Sequence, residues 1–178
     1  MTKSTKLTIT STIKLNNGVE IPRLGLGTWK TPPGKVTEES VAHALKTGYR
    51  HIDTAAIYQN EAGVGRGGKL SGVARKDVFI TTKLWNEDHD DPEAALSESL
   101  RKLGTDYVDL YLMHWPVEKV RIETWKKLEA LYAQKKCRAI GVSNFTIRHM
   151  EELLKHAKII PAINQVEFSP YLYQKELL

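Results

Sequence analysis

What most constrains this chain is an alternation: short β-branched or aromatic runs give way repeatedly to longer segments of helical period. Arg50 to Thr54, Val78 to Leu84, Val108 to His114, Ala139 to Ser143 and Ala162 to Phe168 have the composition of strands, and the segments between them that of helices. Such an alternation demands a parallel sheet covered by helices, either doubly wound or closed as a barrel. A polar residue of chemical interest stands at the C-terminal end of each strand, at Asp53, Lys83, His114, Ser143 and Gln165, with gaps of 30, 31, 29 and 22 residues. In a barrel all five point at one face, where active sites of that fold are built. A doubly wound sheet would spread them out. The spacing therefore predicts an α/β fold of the (β/α)8 TIM-barrel type, in a single domain over 1–178 with residues 1–12 as a tail.

Local signals support the alternation. Asn16-Asn17-Gly18, between short apolar-polar alternations from Thr10 to Ile21, predicts a hairpin ahead of the first strand. Asp91-Pro92-Glu93 supplies a cap, a first-turn proline and an acidic first turn to a helix that buries Leu96, Leu100 and Leu103 and stops at Gly104. Thr37 with Glu38 and Glu39 predicts an earlier helix start, with Val41, Ala44 and Leu45 inward and Gly48 at its end. Thr146 caps a later helix with Ile147, Met150, Leu153 and Leu154 as its stripe, and a last helix is expected over Tyr171 to Leu178.

Composition excludes several classes. With 41% hydrophobic and 26% charged residues the chain is an ordinary globular one, and it contains no apolar run of about 18 residues that would span a bilayer. Its polar N-terminus lacks a signal-peptide core, which predicts a cytoplasmic protein. Cys137 is the sole cysteine, so neither an internal disulfide nor a cysteine-based zinc site can form. The net charge of +5 is diffuse. Its densest patch, Lys126, Lys127, Lys135, Lys136 and Arg138, is mixed with Glu123 and Glu129 around a helix, and is better explained as a solvated face than as a nucleic-acid site.

Gly63, Gly65 and Gly68 match the spacing of a dinucleotide-binding loop, but Tyr58 to Ala62 separates them from the preceding strand. The acidic ribose partner expected about 20 residues on is also missing. These glycines instead predict a short, intrinsically weak helix.

Asp53, Tyr58, Lys83 and His114 together suit carbonyl reduction, which needs a proton donor at the developing alkoxide. A tyrosine can be that acid, and a nearby ammonium such as Lys83 lowers its pKa from about 10 by favouring the phenolate. Asp53 holds Lys83 charged, and a neutral His114 donates a hydrogen bond to the substrate oxygen.

At these residues the sequence also resembles a known family. His51-Ile52-Asp53-Thr54-Ala55 with Tyr58 and Asn60-Glu61, and then Ile80-Thr81-Thr82-Lys83-Leu84-Trp85-Asn86, are similar to segments of the aldo-keto reductases. So are Asp106 to Tyr111 with His114-Trp115-Pro116, Ile140 to Phe145, and Asn164-Gln165-Val166-Glu167. The resemblance implies that Tyr58 is the proton donor, with Asp53, Lys83 and His114 completing a catalytic tetrad. It implies NADPH (NADP+) as cofactor, its carboxamide held by Ser143, Asn144 and Gln165, with Gly27, Thr28 and Trp29 lining the first loop. Trp29, Trp85 and Trp115 form an apolar wall for a small carbonyl substrate; ordinary rim packing is the alternative for any one of them.

A complete barrel of this type has eight strands in about 250 residues. This chain encodes six, and strands seven and eight, which in the family carry further cofactor contacts, are expected to be missing. The first and sixth strands then present open edges prone to pairing with other chains. Three functions follow: a reductase of aldehydes and ketones; a truncated, catalytically inactive chain acting at most as a binding or assembly partner; and a lyase using Lys83 as nucleophile.

Overall fold

In the computed structural model, which describes residues 7–178, a parallel sheet is built one strand at a time. Its strands are β3 (Leu26–Gly27), β4 (His51–Asp53), β5 (Phe79–Leu84), β6 (Val108–Met113), β7 (Cys137–Ser143) and β8 (Asn164–Gln165), paired strictly in chain order. The connecting helices are α1 (Lys35–Lys46), α2 (Glu61–Ser71), α3 (Pro92–Leu103), α4 (Arg121–Ala133) and α5 (Ile147–Leu154). Ahead of them, β1 (Thr12–Lys14) and β2 (Glu20–Pro22) form the expected hairpin, turned by Gly18 at φ 87°. Residues 1–6 of the expected tail lie outside the described residues, and Thr12 belongs to the hairpin.

Strand residues alternate between two faces. The outer face, with Ile80, Leu84, Tyr111, Met113, Ile140 and Val142, packs with Leu45, Leu96, Leu100, Trp125 and Leu128 of the helices into the main core. The inner face carries a smaller core of Phe79, Leu110, Leu112 and Ala139, which Ile21 of the hairpin covers from below. Asn16 and Asn17 hold the hairpin there, their side chains donating to Pro161 O at 3.1 Å and Arg138 O at 3.0 Å. The sheet curls so far that Gln165 Nε2 of β8 donates to Asp53 Oδ2 of β4 at 2.9 Å, with three strands between them. It remains open, since β3 and β8 do not pair.

Asp91 caps α3 by accepting from Ala94 N, and Gly104 ends that helix at φ 67°. Thr146 caps α5. The glycine-rich segment is a helix, α2, as expected. Three expectations are corrected. Thr37 does not start α1, which begins at Lys35; Thr37 is buried inside the first turn, its hydroxyl donating to Pro32 O at 2.7 Å. In the α5 stripe Leu153 is fully buried, whereas Ile147 and Leu154 are exposed. The segment from Tyr171 to Leu178 forms turns, not a helix. It has no buried face, with Tyr171 and Leu178 both exposed, and an eight-residue helix without packing is not stable in water.

The basic patch is largely solvated, with Lys126 on Glu123 and Lys127 on Asp90 O. Arg138 instead reaches buried Asp109, and Glu129 turns inward to accept from the backbone of Lys158 and Ile159. Among the described residues no helix is long and apolar enough to cross a membrane.

Candidate active site

The period of two that puts Ile80 and Leu84 in the core turns Thr81 and Lys83 of β5 to the inner face. Lys83 is 1% exposed, and three oxygens surround its ammonium: Asp53 Oδ1 at 2.5 Å, Thr54 O at 2.9 Å and Tyr58 Oη at 3.4 Å. A lysine so deeply buried must find a counter-charge or lose its proton. Burial pushes its pKa down, and the Asp53 carboxylate pulls it back up. Tyr58 closes a 3-10 turn, Ala56–Tyr58, immediately after β4, which brings its hydroxyl back over Lys83.

The Tyr58 phenol is pushed up to about 12, by burial first and by the Asp53 charge second. The expected lowering by Lys83 is not seen. Asp53 stands so close to Nζ that the pair presents the phenol with a dipole rather than a free positive charge. Tyr58 is thus a protonated phenol at neutral pH.

His114 follows β6 and is held edge-on to Tyr58, at 5.8 Å between ring centroids, and to Trp85, at 5.3 Å. Burial, and then the Lys83 charge, depress its pKa to about 4, so the ring is neutral at pH 7. Its Nδ1 is buried without a partner. An orphaned acceptor is less costly than an orphaned N–H, which favours the tautomer with the proton on Nε2, free to serve as a donor.

These groups open onto a cavity of about 820 Å³ lined by Asp53, Tyr58, His114 and the three tryptophans Trp29, Trp85 and Trp115. Gly27, Ser143, Asn144 and Gln165 line the same cavity. A Cβ on Gly27 would meet nothing within 4 Å, so the backbone there is open to an incoming group. Asn144, at φ 61°, donates through Nδ2 to His114 O at 3.0 Å, and Ser143 Oγ donates to Gln165 O at 2.8 Å. The amide oxygens of Asn144 and Gln165 have no protein partner; Asn144 Nδ2 spends both its N–H groups, on His114 O and Ser143 Oγ, whereas Gln165 Nε2 has one N–H left. A planar primary amide fits such a set of donors and acceptors.

Of the residues predicted from sequence, Thr28 does not reach the cavity. Its hydroxyl is buried, sharing its one proton between Asp53 O at 3.1 Å and Asn60 Oδ1 at 3.2 Å. Lys83 also does not line the cavity; it lies beneath, in contact with Asp53 and Tyr58. Sequence reasoning gave no role to Ile57, which lines the cavity, or to Asn164, whose amide braces the backbone of Phe145. Asn164 sits within a recognised motif and Ile57 next to Tyr58, but only the folded geometry shows what they touch.

The model of the aldo/keto reductase family matches residues 23–178. Glyoxal reductase of Bacillus subtilis is 58% identical over 168 residues, which are 93% of this chain and 61% of that protein. The crystal structure of an aldo/keto reductase from Brucella melitensis superposes with a TM-score of 0.90 at 47% identity, covering 94% of this chain and 67% of that one. That of a Bombyx mori aldo-keto reductase in complex with NADP gives 0.88 at 39% identity, covering 96% and 62%. The chain spans about three-fifths of the length of the curated relatives it matches.

Proposed function

The chain belongs to the aldo/keto reductase family, and we propose that it serves the reduction of small aldehydes and ketones to alcohols, with Tyr58 as the general acid. The observation that carries this reading is the contact of one buried ammonium, Lys83 Nζ, with both Asp53 and the Tyr58 hydroxyl at the floor of a cavity walled by tryptophans. A nicotinamide cofactor, NADPH, supplies the hydride when bound. Ser143, Asn144 and Gln165 are the residues proposed to hold its carboxamide, with Gly27 leaving room beside it. His114 orients the carbonyl oxygen through Nε2–H. As that oxygen gains charge, Tyr58 gives it the phenolic proton, and the phenolate left behind faces Lys83 Nζ. A phenol with a pKa of about 12 is a competent acid for this step, because an alkoxide is a far stronger base than a phenolate.

The test is direct. The purified 178-residue chain is titrated with NADPH by fluorescence, and its oxidation is followed with glyoxal, the compound in the name of the Bacillus relative. Tyr58→Phe is expected to lower turnover by about a hundredfold or more, since it removes the acid, with NADPH affinity little changed. Turnover that survives Tyr58→Phe means that the proton comes from elsewhere.

A second reading rests on the open edges of β3 and β8 and on the exposed Phe168, Tyr171 and Tyr173 beyond β8: a non-catalytic chain that acts as a binding or assembly partner. Tight NADPH binding and turnover by the chain would exclude it. Lys83 as a Schiff-base nucleophile is disfavoured, because its amine is enclosed by three oxygens and does not line the cavity.

A further inference from the structure

We propose that Asn60 is a positioning residue for this site: its buried amide fastens the Thr28–Thr31 loop, which carries Trp29, to the Asp53–Tyr58 segment, so that the two open and close as one unit. The inference deepens the reductase reading and rests on it for its catalytic consequence.

A side-chain amide has two N–H donors and two acceptor lone pairs. Asn60 is 1% exposed and uses all four. Nδ2 donates to Thr28 O at 2.8 Å and Thr31 O at 3.1 Å; Oδ1 accepts from Thr54 Oγ1 at 2.8 Å and Thr28 Oγ1 at 3.2 Å. The orientation is unambiguous, because the flipped amide would set its oxygen against two carbonyls. One side of this knot is the loop whose Trp29 forms a cavity wall. The other is Thr54, whose carbonyl receives Lys83 Nζ, and the short turn that presents Tyr58 two residues upstream of Asn60.

The next residue completes the arrangement. Glu61 is buried, and its carboxylate accepts from Thr82 Oγ1 at 2.6 Å, beside Lys83 on β5. The backbone leaving Tyr58 is therefore pinned to the first loop by Asn60 and to the lysine's strand by Glu61. Asn60 does not line the cavity, so any effect on a ligand passes through Trp29 and Tyr58.

Native-state hydrogen exchange tests this on the full chain. In the wild type the amides of Thr28, Thr31 and Tyr58 should exchange through one shared opening with the same denaturant dependence; an amide of Thr31 that opens independently of Tyr58 overturns the proposal, whether or not any variant folds. Asn60→Asp keeps the acceptor but removes both donors, leaving the carbonyls of Thr28 and Thr31 without that partner. It should speed exchange at Thr28 and Thr31 by about tenfold, with β6 and β7 amides at wild-type rates. Uniform acceleration across the sheet would mark a merely structural role and overturn it. In glyoxal reduction the same variant should lower kcat and raise KM together. A wild-type chain without turnover would defeat the reductase reading, and the exchange measurements would still decide Asn60.

Discussion

Tyr58, the proposed general acid, is a weak one. Its proton is held to about pH 12 by burial and by Asp53, so in the free chain it should contribute nothing to the ultraviolet titration of the tyrosines below that range. Difference spectra of wild type against Tyr58→Phe check this; an ionisation lost near pH 10 would show that Lys83 acts as an unpaired charge. Lys83→Met removes the ammonium that faces the phenolate after proton transfer, and should cost turnover by about a hundredfold, while near-normal rates at pH 7 would refute its role. His114 gives a stability prediction of fixed sign. Folded, it stays neutral down to about pH 4, whereas the unfolded ring takes up its proton near the ordinary 6.5. The unfolded state binds the extra proton between these values, so His114 contributes a loss of stability as pH falls through that window. His114→Gln should flatten that part of a urea-midpoint against pH curve. That Asp53, Lys83 and His114 share one face was legible in the sequence because the βα period puts strand ends there; Tyr58 joins them from the turn after β4. The direction of the Tyr58 shift was not legible, because it depends first on how deeply the phenol is buried and then on how close the Asp53 charge lies, neither of which spacing encodes.

At the scale of elements, the helix richest in glycine shows why a weak helix former is kept. A Cβ on Gly65 would lie 2.3 Å from Leu103 O, and one on Gly67 2.6 Å from Glu38 O, so α2 lies with its backbone directly against α3 on one side and α1 on the other. Gly68 faces open space. The two positions therefore predict opposite outcomes for the same substitution. Gly68→Ala should raise stability by up to about 1 kcal/mol through helix propensity. Gly65→Ala should lower it by about 1–3 kcal/mol, because backbone cannot yield as a side chain can. Urea denaturation of both variants measures the difference, and equal effects would mean that the helices are not in close contact. The helix that these glycines form was expected from the sequence; their packing role needed the neighbours. Likewise Asp91, Gly104 and Thr146 were readable as helix ends because a cap is a local device. Thr37 was misread as one because its hydroxyl goes instead to Pro32 O, and the expected final helix fails because nothing packs on it.

Among the described residues the parallel sheet is curled and has two free edges, β3 and β8. Gln165 reaching Asp53 shows that the curl brings β8 near β4 at the top, yet among the described residues the backbones of β3 and β8 each have one side without a strand partner. Unpaired edges template pairing with another chain, and the apolar side chains of Phe168, Tyr171 and Tyr173 lie exposed just past β8. Two copies joined about a twofold axis would pair like edges antiparallel, whereas β8 against the β3 of a neighbour would continue the parallel sheet and need not close. Either way the mass in solution should exceed the 20.1 kDa of one chain and rise with concentration. Light scattering on a dilution series decides it. Phe168→Glu together with Tyr173→Glu, which adds charge beside the edge without touching the cavity, should return the mass towards that of one chain. A constant 20.1 kDa at every concentration would mean that the edges are too short, at two residues each, to act as templates. NADPH links the two behaviours: if Gln165 exchanges Asp53 for a carboxamide, β8 gains a ligand at its top, and cofactor should shift the dilution series as well as the fluorescence.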